Sequence, residues 1–183
     1  MTASQIEQPI TGSFPSALTA SRVVLRILIV LNWIYGACVG ALLVYTFVNE
    51  PWTMKALGVT DFPDAQRVMN WMRLIAALGL AAVPINFAIL KRLVGMVDTV
   101  RRGDPFIAAN AYRLNAIAWL LLVLQLIGAA IGAIAESIST AEHPFELDAG
   151  FSVTGLLAVL LLFVLARVFA EGATMREDLE GTV

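Results

Sequence analysis

The chain has 183 residues, of which 59% are hydrophobic and 14% are charged, and its formal net charge is −2. Soluble domains contain roughly 45–50% apolar and about 25% charged residues, so this composition favours a protein whose solvent is lipid. The slight acidity argues against direct nucleic-acid binding. The single cysteine, Cys38, excludes an intramolecular disulfide and a Cys-x-x-Cys redox pair.

Four apolar blocks are long enough to cross a lipid bilayer, for which roughly 20 apolar residues are needed. The predicted spans lie at 23–48, 68–90, 114–135 and 151–170. Every face of these blocks is apolar, whereas a helix of a soluble protein keeps a polar face, and the alternating polarity of barrel strands is missing. The sequence therefore predicts an all-α, polytopic membrane protein built as a four-transmembrane-helix bundle.

The predicted domain organisation is a mobile N-terminal tail at 1–20, a membrane domain at 21–178 and a C-terminal tail at 179–183. Nine of the 12 lysines and arginines lie in the N-terminal flank and first turn of the first span, in the middle connection, or in the C-terminal segment from Arg167 onward. By the positive-inside rule these regions are cytoplasmic. We therefore predict an N-in/C-in topology, with helical extensions of the second, third and fourth helices into the cytoplasm.

The middle connection, RRGDPFIAANAYRL at 101–114, concentrates the charge, glycine and proline that the flanking blocks lack. An apolar face continues at helical spacing up to this point, which predicts that the second helix extends beyond the membrane. Arg101 and Arg102 suit the negative end of its dipole. Gly103 is the expected C-terminal stop.

A tight turn into the third helix is predicted directly after Gly103. Asp104 is suited to cap that helix, and Pro105 is suited to its first position, where the missing N–H costs nothing. Phe106 and Tyr112 are predicted to pack between the two helical extensions.

Small residues recur at a spacing of four in two spans. The two pairs are Gly36 with Gly40 and Gly128 with Gly132. Such pairs let helix backbones approach closely. We interpret them as packing positions within the bundle, and a homo-oligomer contact is the alternative.

Among the uninterrupted apolar blocks at 23–48, 74–90, 114–135 and 151–166, the only charge is Arg26, which lies about one turn from the cytoplasmic end of the first span and can reach the headgroups. Catalysis or ion coupling in a membrane usually requires an ionisable residue at depth, so neither an enzyme nor a cofactor is expected. The neutral polar residues at depth are Asn32, Asn86 and Gln125. We interpret them as polar links between helices, worth about 0.6 kcal/mol each. The alternative is the solute site of a small transporter or channel subunit, close to the helix break at Pro84.

The last connection carries one histidine and several carboxylates. These residues are Glu136, Glu142, His143, Glu146 and Asp148. Pro144 interrupts the helical register that would join His143 to Glu146, and zinc usually draws on several nitrogen or sulfur ligands. A solvated acidic loop is therefore predicted rather than a metal site, with an extracytoplasmic ion sensor as the alternative.

Two stretches, GDPFIAANAYRL at 103–114 and RVFAEGATMREDLEGTV at 167–183, resemble a bacterial four-span family called domain of unknown function 2975. The resemblance extends over nearly the whole four-span region, outside the N-terminal tail. In the first stretch the matching residues are Gly103, Pro105, Phe106, Asn110, Arg113 and Leu114. In the second stretch they are Phe169, Gly172, Arg176, Glu177, Asp178, Thr182 and Val183. Met175 stands where leucine is usual, and Gly181 stands where a larger residue precedes the final Thr-Val.

The resemblance implies a multi-pass protein of the bacterial cytoplasmic (inner) membrane with no assigned reaction, often encoded beside a small helix-turn-helix regulator. The matching residues fall on the predicted cytoplasmic side, which suits a surface for a protein partner. They also suit an internal clasp, in which Asn110 or Arg113 docks the C-terminal tail by binding a carboxylate. The carboxylates predicted for this role are Glu171, Glu177 and Asp178. The leading hypothesis is an interaction protein embedded in the lipid bilayer.

Overall fold

The structure, a computed structural model, describes residues 14–60, 62, 64–139, 150 and 152–180, and this part of the chain is all-α. The helices are α1 (Phe14–Val48), α2 (Glu50–Ala56), α3 (Ala65–Arg101), α4 (Ala108–Ile138) and α5 (Val153–Glu180). All except α2 are long and apolar enough to cross a membrane. The prediction of four membrane-spanning helices is confirmed at this level.

The helices are longer than the predicted spans. α1 begins at Phe14, inside the segment predicted as a tail, and α5 continues to Glu180. With a rise of 1.5 Å per residue, the 37 residues of α3 are about 55 Å long and the 28 residues of α5 about 42 Å. The hydrocarbon core of a bilayer measures about 30 Å. α3 therefore has more than about four turns to spare, and α5 has about two.

The long helices pack as a row, in which α1 contacts α3, α3 contacts α4 and α4 contacts α5. Within the described residues, no extended contact between α1 and α5 closes this row into a ring. The sequence predicted a four-helix bundle without an order of contacts, and this row is the order that the described residues show. An open row suits a membrane, because lipid tails solvate leucine as well as another helix does, which leaves no hydrophobic drive to close the ring. Many apolar side chains of α1 are accordingly exposed, among them Val30, Val44 and Phe47.

The seam between α1 and α3 is close because Gly36 faces Val83. A Cβ atom at Gly36 would lie 2.9 Å from Val83 Cγ1, and one at Gly40 would lie 3.8 Å from Leu80. Asn32 Nδ2 donates a hydrogen bond to the Val83 carbonyl at 3.1 Å, next to Pro84. The first glycine pair therefore packs inside this chain.

The two ends of the molecule differ in the connections they carry. The tip end carries the turn between α3 and α4, and residues 99–113 are called the tip. The α2 end carries α2, which was not predicted from the sequence and is capped by the Asn49 side chain accepting from the Trp52 N–H at 3.4 Å. The apolar cluster of the α2 end consists of Val59, Phe62, Val68 and Ile138.

Candidate functional site: the tip and the end of α5

The end of α3 is a Schellman motif, as the predicted stop at Gly103 requires. Gly103 has φ +85°, a left-handed conformation that glycine adopts without a steric penalty. Its N–H donates to the Val100 carbonyl at 3.0 Å, and the Asp104 N–H donates to the Thr99 carbonyl at 3.1 Å. These two bonds satisfy carbonyls that the end of a helix otherwise leaves unpaired.

The predicted start of the next helix is wrong by several residues. α4 begins at Ala108, and its N-cap is Ile107, which has extended backbone and no side-chain cap. Asp104 does not cap α4, because the helix begins four residues later and the Asp104 carboxylate pairs with Arg176 of α5. Pro105 consequently lies in the turn rather than at the first helical position.

Asn110 organises this turn from the inside, because its side chain is fully buried. Its amide nitrogen donates to Thr99 Oγ1 at 2.7 Å and to the Pro105 carbonyl at 2.8 Å. Its amide oxygen accepts from Arg113 at 2.7 Å. One side chain thereby joins the end of α3, the turn and the first turns of α4, which is the use of a buried amide that satisfies its hydrogen-bonding capacity.

Arg113 binds within the hairpin. Its Nη1 donates to the Gly95 carbonyl at 3.2 Å as well as to Asn110. A Cβ atom at Gly95 would lie 3.2 Å from Arg113 Nε, so the glycine makes room for the guanidinium. The predicted clasp through Asn110 or Arg113 to a carboxylate of α5 is therefore wrong in its residues, since both side chains are used between α3 and α4.

A different set of contacts joins the tip to α5. Arg176 Nη1 lies 2.8 Å from Asp104 Oδ1, in an ion pair whose side chains are 42% and 48% exposed. The Phe106 ring packs on Phe169, with ring centroids 5.1 Å apart. A Cβ atom at Gly172 would lie 3.0 Å from Phe106 Cδ1, so the glycine allows this approach. The end of α5 is thus docked on the tip through an ion pair and an aromatic contact.

The remaining predicted residues of this region point outward. Glu171 pairs with Arg167 at 2.5 Å along the same helix. Tyr112 is 71% exposed, so the prediction that it packs between the helical extensions is wrong. The other exposed residues are Arg101, Arg102, Glu177 and Asp178. The surface of the tip end is therefore strongly charged, with basic groups on the turn and acidic groups on α5.

The α2 end contains a polar cluster that the sequence analysis did not single out. Arg73, whose side chain is 11% exposed, donates to Glu50 Oε2 and to the Thr46 carbonyl, both at 2.6 Å, and to Thr46 Oγ1 at 3.2 Å. Its guanidinium carbon lies 4.3 Å from the centre of the Phe47 ring. The hydrogen bond from Arg73, followed by one from Gln66, lowers the pKa of Glu50 below its ordinary value of 4.5. The signal in the sequence was one arginine at the edge of an apolar block.

The three polar residues at depth do not converge. Asn32 lies in the seam between α1 and α3, whereas Gln125 Nε2 donates to the Ser152 carbonyl at 2.8 Å, between α4 and the start of α5. Asn86 is half-buried on α3. Asn32 and Gln125 therefore link neighbouring helices. The three residues do not lie together around a site for one solute.

Most of the acidic connection lies outside the described residues, namely Glu142, His143, Glu146 and Asp148. Glu136 is exposed near the end of α4. Among the described residues, no group of three or more histidine, cysteine, aspartate or glutamate side chains could hold a metal ion. The ion-sensor alternative stays a prediction.

Four long apolar helices define a multi-pass membrane protein. Residues 48–183 match the family described as Protein of unknown function (DUF2975), and because this is well over half of the chain, the protein belongs to that family. The match begins at the last residue of α1, so it covers α2 to α5 and leaves out a helix that the resemblance was expected to include. Neither a curated protein nor a solved structure matches the chain.

Proposed function

We propose that this protein is a non-enzymatic, multi-pass protein of the bacterial inner membrane that binds a protein partner in the cytoplasm. The binding surface consists of the exposed side of the tip together with the docked end of α5. A small helix-turn-helix regulator is the candidate partner that the family resemblance suggests. The observation that carries the proposal is the docking of α5 on the tip through Arg176 and Phe106.

The charge distribution supports an orientation in which both ends of the chain and the tip are cytoplasmic. The tip end carries most of the arginines and lysines, and the positive-inside rule places such segments in the cytoplasm. The excess length of α3 and α5 over a bilayer core allows the tip and the end of α5 to project beyond the lipid.

The surface chemistry supports recognition of a protein. Basic side chains of the turn lie beside acidic side chains of α5, and complementary charge patterns of this kind select partners and speed their encounter. The Asp104–Arg176 pair is half-exposed and lies within this surface, so a partner that binds either side chain competes with the internal ion pair. The same contacts that dock α5 thus offer a means of regulating the surface.

Sidedness is tested by labelling single cysteines with a membrane-impermeant maleimide in a Cys38→Ser background. Thr60→Cys reports on the α2 end and Ala109→Cys on the tip end, and both positions are exposed. We expect Thr60→Cys to react in spheroplasts and Ala109→Cys to react only after lysis. The reverse pattern would place the tip outside the cytoplasm and overturn the proposal.

The partner is tested by placing a photo-crosslinking amino acid at Ala109 or Glu177 in living cells. We expect a discrete protein adduct from both positions, identified by mass spectrometry, and no such adduct from the matched position Thr60. Deleting 175–183 should remove the adduct formed at Ala109 while the protein still inserts. A tip that gives no protein adduct at either position in cells contradicts a cytoplasmic protein partner.

A further inference from the structure

A polar cleft of about 360 Å³ opens at the tip end between the beginning of α1 and the end of α3. The side chains that line it are Arg22, Asp98, Arg101 and Arg102. Three guanidinium groups against one carboxylate leave an excess of two positive charges. Arginine presents a planar fork of donors that matches a phosphate group bidentately, so the cleft has the chemistry of an anion site.

An ion pair builds this cleft. Arg22 Nε lies 3.1 Å from Asp98 Oδ1, and about one third of each side chain is exposed. Because α1 and α3 each contribute one partner, the pair fixes Arg22 at the mouth of the seam between the helices. Arg101 and Arg102, which are exposed, complete the rim. The carboxylate holds the cleft together and leaves two arginines for a ligand.

An apolar groove begins at the next residue of α1 after Arg22. It measures about 450 Å³ and is lined by Val23, Arg26, Ile27, Val30 and Leu31. All five of these residues are exposed, so the groove lies on the lipid-facing side of α1. Arg22, Arg26 and Val30 follow one another at a spacing of four and form one ridge of the helix, which joins the cleft to the groove. The groove spans eight residue steps, or about 12 Å.

We propose that the cleft and the groove together bind one anionic phospholipid of the surrounding leaflet. The phosphate lies between Arg101 and Arg102, next to the Arg22–Asp98 pair, and an acyl chain lies along the groove. Arg26 extends its guanidinium from the apolar groove toward the same headgroup, as long basic side chains do near the ends of membrane helices. Basic pockets between membrane helices are recognised sites for anionic headgroups.

The juxtaposition of the two features selects this ligand. A basic cleft alone would suit a soluble phosphate, and an apolar groove alone would suit any lipid. A phosphate-bearing amphiphile satisfies both, since its charge and its chain meet at the boundary between Arg22 and Val23. The inference does not need the proposed protein partner, because it is argued from the cleft between α1 and α3 and from the lipid-facing groove beside it, although Arg101 and Arg102 also belong to the exposed side of the tip.

Native mass spectrometry of the purified full-length protein tests the proposal. The probes are a phosphatidylglycerol and a phosphatidylcholine with identical acyl chains, offered in equal amounts. We expect wild type to retain the phosphatidylglycerol preferentially. Arg101→Gln and Arg102→Gln, at exposed positions that leave the Arg22–Asp98 pair intact, should each lower that preference about fivefold. Thermal unfolding in detergent verifies that both variants remain folded.

Arg167→Gln is the matched control, because Arg167 is 79% exposed on α5 and lies outside the cleft. It should leave the preference unchanged. An equal loss of preference in Arg167→Gln would show a general effect of surface charge and would overturn the proposal. An unchanged preference in the Arg101→Gln/Arg102→Gln double variant would overturn it as well.

The acyl chain is tested by filling the groove. Val30→Trp adds no charge and lies at a lipid-facing position, so it should lower retention of the phosphatidylglycerol, whereas Leu161→Trp on the exposed face of α5 should not. Inorganic phosphate at millimolar concentration should fail to displace the bound lipid. Displacement by phosphate, together with no effect of Val30→Trp, would identify a soluble-anion site and overturn the lipid assignment.

Discussion

The two ends of the molecule each use an arginine to join helices, but they do so with different degrees of enclosure. At the α2 end, Arg73 is 11% exposed and binds a carboxylate, a helix carbonyl and a hydroxyl, and it also lies over an aromatic ring. At the tip end, Arg176 is 42% exposed and pairs with a half-exposed Asp104. The first arrangement is enclosed and multiply bonded, whereas the second is open to solvent, so we expect only the second to exchange partners.

The difference follows from where each arginine finds its partners. Thr46 lies in the last turn of α1, where carbonyls have no intrahelical donor. Arg73 donates to the Thr46 carbonyl, and its positive charge balances the negative charge of Glu50 at the start of α2. The tip end differs, because the Asp104 backbone N–H already donates to the Thr99 carbonyl and the Asp104 side chain is not needed to close α3. Its carboxylate is therefore available to a competitor.

Replacing Arg73 should have the largest effect on stability. Arg73→Met removes the side-chain donor of the Thr46 carbonyl and leaves the Glu50 carboxylate with Gln66 alone, and it costs about 2–3 kcal/mol because hydrogen bonds to a charged group are lost. Thermal unfolding of the purified protein in detergent measures the change. Arg67→Met, an exposed arginine on the same helix, is the control and should change the midpoint little. A midpoint shift no larger than that of Arg67→Met would refute the structural link through Arg73.

Replacing Asn110 should have the next largest effect, at the other end. Asn110→Leu removes the donor to Thr99 and Pro105 and the acceptor of Arg113, all in a buried position, at a cost of about 1–3 kcal/mol. Asn115→Leu, an exposed position of the same helix, is the matched control in the same unfolding assay. Equal midpoints for the two variants would show that the tip is not organised around Asn110.

The fold could be predicted where one local property decides it. Runs of apolar residues of bilayer length identify four helices, and Gly103 marks the end of α3 because only the local backbone is involved. The open row could not be predicted, because it depends on competition between lipid and protein contacts that no periodicity records. α2 was missed because seven residues with Pro51 and Trp52 have too little pattern.

The candidate site was harder to predict for the same reason. Arg22 and Asp98 lie 76 residues apart in sequence, and only the packing of α1 on α3 brings them together. Asp104 was assigned a local role as a helix cap, yet its carboxylate binds Arg176 from another helix. Asn110 and Arg113 were expected to reach α5, but nearer partners in the hairpin take their hydrogen bonds. Local chemistry indicates which residues matter, and long-range packing decides which partner each residue finds.

The pH dependence of stability should come from the α2 end. Because the pKa of Glu50 is lowered in the folded protein, its stabilising contribution is complete above its ordinary value of 4.5 and is lost as the pH falls through the lowered value. The unfolding midpoint of wild type should therefore decrease on acidification below about pH 4.5 more steeply than that of Glu50→Gln. Glu136→Gln, at the same end but outside the Arg73 cluster, should keep the wild-type slope. Parallel curves for wild type and Glu50→Gln would contradict the assignment.

Breaking the exposed ion pair at the tip should have the smallest effect on stability and a visible effect on geometry. Arg176→Gln is expected to cost under about 1 kcal/mol, because exposed pairs gain little over hydration. Spin labels at Ala109 and Glu177 should nevertheless report a broader distance distribution in Arg176→Gln than in wild type. Arg167→Gln, which breaks a pair within α5 itself, should leave the distribution unchanged.

A small energetic cost of Arg176→Gln would explain how the tip is regulated. A ligand shifts an equilibrium only by its differential affinity for the two states, so a clasp worth under about 1 kcal/mol can be opened by a partner of modest selectivity. The Phe106–Phe169 contact would keep α5 close while the ion pair exchanges. If Arg176→Gln destabilised the protein as much as Arg73→Met does, the Asp104–Arg176 pair would be a structural link like that of Arg73, and a partner could not readily replace it.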